Sequence, residues 1–406
     1  MPTLASTSRT GYSYIPEATF GVTPGSGAVY ALRALSDSLK YDISKETSKE
    51  INSYRSVSSM IPVSAKSSGG ISAEMQYAEY DRFFAAVLQN SFAAYGTNGV
   101  GATFTGNFTA TTITAVSAPT GTSAFTTLKK GQWFRILAPA DVNNGLILRV
   151  SKTVAPTSTV ITLDANTPAT VSASVTSCAV QSSRLTNGTT LQSFTIERTQ
   201  GDVGTYTAYR GQTPDKMDLS LASGATSTVK FDFIGAGQTY SAAATNLPSA
   251  PTASTTYDIQ SGVAASSCLI IENGVPRTDI KSLNFTYSNS LREQQTICSL
   301  EPVGVGNGNI TCEVSVDMYY GSNSIYTRFL ANTDTELVFS SLDASGNGYV
   351  ITLPHVSIKS YDAPAGGANQ DLMAKVVFEG LRDAANADST LRQVLFIDRV
   401  GVAVAP

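Results

Sequence analysis

Apolar and polar positions along this chain alternate mostly with a period of two. Ile71, Ala73, Met75 and Tyr77 alternate with Ser72, Glu74 and Gln76, the pattern of a strand with one buried face. The same rhythm recurs at Phe194, Ile196 and Arg198, at Val229 to Gly235, at Leu283 to Tyr287 and at Ile310 to Tyr320. Further strands are predicted over 336–340, 349–353, 373–378 and 394–399. Helical spacing occurs twice. Phe83, Phe84, Val87, Leu88 and Phe92 make one stripe behind a plausible N-cap at Asp81, predicting a helix over 81–92. Asn323 opens a second, short pattern through Ile325, Phe329 and Leu330.

Between Ile43 and Gly70 the pattern lapses into a long arm loop. Lys45, Glu46, Lys49, Glu50, Tyr54 and Arg55 sit among serines and threonines, with almost no apolar residue to bury. Such a segment makes no core of its own. A strand through Leu39, Tyr41 and Ile43 enters the arm and a turn at Gly69-Gly70 leaves it, so the whole resembles an extended hairpin. Two readings fit: an arm that contacts another copy of the chain, or a mobile surface loop.

From 101 to 184 the composition shifts to Thr, Ala, Ser and Val, with short strands at 111–116, 132–137, 146–152 and 159–163 and a strong turn at Asn143-Asn144-Gly145. We read this as a small β-domain inserted into a larger one made of 1–100 and 185–406, with the sole tryptophan, Trp133, anchoring the insert's core. The fold class expected is mainly β: a sandwich with a short flanking helix, a long arm and the inserted β-domain.

Composition narrows the function. Of 406 residues, 42% are hydrophobic and only 14% charged, against roughly 25% charged in ordinary soluble domains. A surface so poor in charge is expected to be covered. The net charge of -4 gives no basic field for holding nucleic acid by its phosphates. No apolar run approaches the roughly 20 residues that span a bilayer, so no membrane is expected. The opening Met1 to Arg9 reads as no secretory signal, which points to synthesis in a cytoplasm. Cys178, Cys268, Cys298 and Cys312 are widely spaced and read as buried free thiols.

Catalytic, metal and cofactor sites are all expected to be absent. His355 is the only histidine and has no nucleophile motif beside it. Asp343 to Gly348 begins like a calcium loop, but Pro354 stands where the bidentate Glu belongs, so a turn explains it better. Gly304 to Gly308 precedes a strand and lacks the lysine of a phosphate loop. Glu74, Glu79, Glu197, Glu313 and Asp317 lie on alternating strands, where a solvated outer face is the simpler reading than a glycosidase pair.

Several stretches, taken in order, resemble the major tail tube proteins of long-tailed, siphovirus-type bacteriophages. They are Ser48-Lys49-Glu50 to Arg55, Gly69-Gly70 and Ala73 to Asp81; Gly131-Gln132-Trp133-Phe134 with Asn143-Asn144-Gly145; Asn187 to Thr190 with Ser193 to Arg198; and Gly348-Tyr349 to Pro354. The resemblance implies a structural virion protein of the tail, not an enzyme. Its sandwich would join neighbours in a hexameric ring, and rings would stack into a tube through which DNA passes without specific binding. Partners implied are further copies and other tail proteins such as the tape measure, terminator and tip. The arm would form the subunit or ring interface, Ser72, Glu74 and Gln76 are candidate lumen residues, and the insert would sit outside and be dispensable for assembly. The alternative is a surface-exposed virion adhesin or receptor-binding protein.

Overall fold

The computed structural model describes residues 5–54, 56–254, 258–261, 269–365, 367–384, 386, 388 and 391–401. Its first sheet runs, edge to edge, through Lys40–Thr47, Met60–Glu74, Thr228–Gly235, the second half of Thr205–Ala222, Ile280–Ser288, Thr311–Tyr319, Met373–Gly380 and the second half of Gly348–Asp362, all antiparallel. These strands alternate as expected. Ile71, Phe231, Met217, Phe285, Val314 and Phe378 point into one core, while the intervening polar residues stay partly exposed.

A second group of strands faces this sheet. The first half of Gly348–Asp362 pairs with Thr335–Leu342 and with Phe396–Val400, which in turn pairs with Ser183–Thr186. The strand 348–362 therefore belongs to both layers, bending at a bulge between Ile358 and Ser360, as strands do at sandwich corners. Thr205–Ala222 also changes partners along its length: its first half pairs with Phe194–Gln200, which pairs on with Thr10–Pro16, and its second half with Thr228–Gly235. Helix α1 (Asp81–Val87) drops Phe83, Phe84 and Val87 into the shared core, where Phe83 meets Phe194 edge-on at 5.1 Å. The fold is thus mainly β, a sandwich with a short flanking helix.

α1 is shorter than its apolar stripe predicts, and Asp81 is its first helical residue rather than its cap. The reason lies elsewhere in the chain. Gln89 turns left-handed at φ 55°, and the carbonyls of Leu88 and Gln89 accept from the amides of Gly188 and Thr190. The freed helix carbonyls are satisfied by a distant segment, so the helix stops. Asp81 instead accepts from the Tyr349 hydroxyl at 2.5 Å and pairs with Arg399. Helix α2 (Ser324–Ala331) follows Asn323 as expected and ends on Asn332 in the left-handed region, φ 47°.

Gly69-Gly70 makes no turn. Both residues lie inside the unbroken strand Met60–Glu74. A Cβ on Gly69, whose φ is 141°, would stand 2.3 Å from the Ser38 carbonyl oxygen, so the glycine is needed for close backbone approach. The arm is accordingly a two-stranded ribbon, Lys40–Thr47 against Met60–Glu74, and only 48–59 form its loop.

Residues 104–181 hold a separate six-stranded sheet with its own core of Phe108, Phe125, Phe134, Ile161 and neighbours. It closes on itself: Val150 bridges Leu163, and the amides of Ser151 and Asp164 donate to Thr162 and Arg149 at 2.8 Å. Closure leaves this small barrel without long free edges. The turn at Asn143-Asn144-Gly145 forms where expected, with Gly145 at φ 82° donating to Ile136.

Trp133 is fully buried, but not in the barrel's core. It points out of the barrel into Ile271, Val338, Leu342, Val350 and Val400 of the second sheet. Its indole nitrogen donates to Thr352 Oγ1 at 3.1 Å and its amide to Asp398 Oδ2 at 3.0 Å. Beside it Arg149 pairs with Glu336, Lys152 Nζ lies 3.0 Å from the same carboxylate, and Arg184 holds the fully buried Asp398 at 2.6 Å. The second sheet is therefore covered on both faces, which explains why every residue of 337–342, 348–353 and 396–400 is buried, polar ones included.

Candidate assembly surfaces

The polar face of the first sheet runs unbroken across six strands. Register aligns Ser72, Lys230, Asp218, Thr286, Glu313 and Glu379 in one row across it. The next row is Glu74, Thr228, Ser220, Asn284, Ser315 and Val377. Asp232 and Asp317 add to the acidic side, Lys216 and Lys375 to the basic. Carboxylates outnumber cations, every cation at these positions is lysine, and most are held by acids. Lys216 and Lys230 lie 2.8 and 2.7 Å from Asp218 and Asp232. Lys359, displaced by the bulge, bridges Glu313 and Glu379, and these carboxylates raise its pKa above the ordinary lysine value. Cations so neutralised offer little to a phosphate, and a lysine lacks the fork with which arginine grips one.

Of the candidate lumen residues, Ser72 and Glu74 stand on this face, half-exposed. Gln76 does not: it is 2% exposed, past the end of the strand, in a bridge with Ile259. Alternation alone extends the polar face to Gln76, whereas the segment around Ile259 covers it.

In the arm, Lys45, Glu46, Lys49, Glu50 and Tyr54 are all exposed; Arg55 lies outside the described residues. Only the base of the ribbon is tied down, through the Ala65 amide on the Leu300 carbonyl and Lys66 on Glu293 at 2.7 Å. The arm is less uniformly polar than its composition implies, for Ile43, Ile51, Val57, Met60, Ile61 and Val63 are exposed beside Tyr54. The signal was present in the return strand, whose apolar residues merge with the following core strand when read along the sequence.

The sheet is also open at both edges. Among the described residues, the backbone of Lys40–Thr47 pairs only with Met60–Glu74, and that of 357–362 only with Met373–Gly380.

The model of a family described as phage tail tube protein matches residues 7–380. The chain belongs to the phage tail tube proteins. No curated protein matches it. As a tail tube protein it is a structural component of the virion tail, it associates with copies of itself and with other tail proteins, and its family is not one of enzymes.

The remaining chemical candidates of this tail tube protein fall to local structure. Glu197 is buried and accepts from Thr245 and Asn246, so it clamps a loop. Asp343 accepts from the amides of Ser345 and Asn347, forming the turn. His355 pairs with Asp334 at the surface at 2.9 Å. Cys178 and Cys312 are buried thiols, Cys298 is exposed and Cys268 lies outside the described residues. Among the described residues, no group of three or more His, Cys, Asp or Glu is placed to hold a metal.

Proposed function

We propose that this tail tube protein closes into hexameric rings whose first sheets join edge to edge into a continuous inner barrel, and that the rings stack into the conduit for DNA. The observation that carries this is the pair of open edges bounding a wide face of neutralised lysines and excess carboxylate. Exposed edges are a liability in a monomer and are satisfied when copies pair. A lumen of this charge repels phosphate and lets the genome slide, where a basic one would hold it by many contacts. Ser72 and Glu74 would line that lumen. The barrel of residues 104–181, seated on the second sheet away from the first, would then lie on the outside. Assembly in the host cytoplasm, with the tape measure, terminator and tip as further partners, accords with the same reading.

Negative-stain microscopy of the purified protein tests it. Rings or tubes with a central channel are expected; a monodisperse monomer at high concentration overturns the proposal.

A further inference from the structure

The barrel does not cover the second sheet all the way to its edge. Past Trp133 a cavity of about 560 Å³ lies between the sheet and the barrel's segment 127–132. Three strands make its sheet wall. Ala93–Ala94, the edge strand among the described residues, pairs with Ser183–Thr186, which pairs in turn with Phe396–Val400. Register sets Ala93 across from Arg184 and Thr186 across from Phe396, all on the face where the barrel sits. An alanine at 93 leaves space that a longer side chain would occupy. Ser91, Ala93 and Ala94 are exposed, so the cavity opens to solvent along this edge. Its volume falls in the range of roughly 300–1,000 Å³ occupied by small-molecule sites.

The walls join an apolar body to charge of one sign. Leu128, Leu391 and Phe396 are buried and line the cavity, and among the described residues no carboxylate does. The other cations at this joint are matched: Arg149 and Lys152 by Glu336, Arg184 by Asp398. Arg184 lies 4.5 Å over the Phe396 ring and makes four hydrogen bonds, to Asp398, Gly131 and Lys130. A guanidinium has five N–H groups, so one on Nη1 is left over. Lys129 borders the same cavity and finds no acid in its wall.

We propose that this cavity binds a small organic anion, an apolar or aromatic body carrying one carboxylate or sulfonate. The anion meets the Lys129 ammonium and the spare Arg184 N–H, while the body lies against Leu128, Leu391 and Phe396. A charge-assisted contact fixes the orientation and apolar burial supplies the rest. The site is complete within one chain, so it stands or falls apart from ring formation. In the proposed tube it would face outward with the barrel.

Two fluorescent probes test it on the full chain. 8-Anilinonaphthalene-1-sulfonate is an aromatic monoanion that brightens on leaving water, and N-phenyl-1-naphthylamine is its uncharged counterpart. One sulfonate per chain is expected, with the amine binding about tenfold more weakly, the share of one charge-assisted contact. Lys129→Ala is expected to remove most of that difference by weakening the sulfonate alone. Ala93→Phe, which fills the cavity, is expected to weaken both probes, and each variant is checked for an unchanged melting curve. Equal affinity for the two probes, or no effect of Lys129→Ala, overturns the anion site. No effect of Ala93→Phe places the probe elsewhere, such as on the apolar residues of the arm, and overturns the cavity assignment. Should Ala93→Phe unfold, amine footprinting of the unaltered protein gives the second measurement. The sulfonate is expected to shield Lys129 from acylation while the exposed Lys45 and Lys49 react as before; equal acylation of Lys129 with and without the probe overturns the proposal.

Discussion

Trp133 faces out of one hydrophobic core and into another, so it works as a bolt between two bodies. Replacing it with alanine leaves an unfilled space against Val338, Val350 and Val400 and is expected to cost about 3–5 kcal/mol, read as a lowered denaturation midpoint. Trp133→Phe keeps most of the packing, gives up the bond to Thr352, and is expected to cost much less. Glu336 does comparable work by charge. Burial alone would raise its pKa, but the bonds and charges of Arg149 and Lys152 pull it below the ordinary 4.5. Between that ordinary value and the depressed one, the unfolded chain binds the proton and the folded chain does not. Glu336 therefore contributes stability that is fully present above 4.5 and is lost as pH falls through the folded value. Denaturation measured from pH 6 downward is expected to show a flatter decline for Glu336→Gln than for the unaltered protein.

At the scale of elements, the barrel of residues 104–181 looks separable by its closed sheet and private core, yet its removal is not expected to be silent. Excising 101–182 with a short linker uncovers the Ile271, Val338, Val350 and Val400 surface, a contiguous apolar face. Aggregation is expected, measured by light scattering. Changing Val338 and Val350 to threonine in the same deletion is expected to restore soluble protein. The sequence reading treats the insert as dispensable; the docked tryptophan is why that expectation changes. The arm differs in kind. It is tied at its base, so changes at its exposed tip are expected to leave the melting curve alone, and in the proposed tube to alter assembly.

For the whole molecule, the proposed tube makes the charge of one sheet face a functional quantity. Glu74→Lys, Asp218→Lys and Asp317→Lys together turn that face basic while leaving the apolar face untouched. Tubes of this variant are expected to retain double-stranded DNA at low salt and release it as salt rises, since log affinity falls with log salt in proportion to the phosphates neutralised. Unaltered tubes are expected to retain none. A filter-binding titration against salt distinguishes the two.

The hairpin of the arm was read from a turn at Gly69-Gly70 that the chain does not make, whereas alternation at 71–75, 229–234 and 311–318 was sufficient to determine a mainly β chain and the side of each of these strands that meets the core. That information is local, because a strand's period is set by its own backbone. Which surface covers a buried face is not local. Periodicity records that Trp133 and Val350 are buried, but not that they are buried against each other. It stops α1 too late because the groups that end the helix come from residues 188–190, and it reads Gly69 as a turn because Ser38, which crowds it, is thirty-one positions away. Tertiary structure alone placed these partners, since each contact joins segments whose nearness only the finished chain path creates.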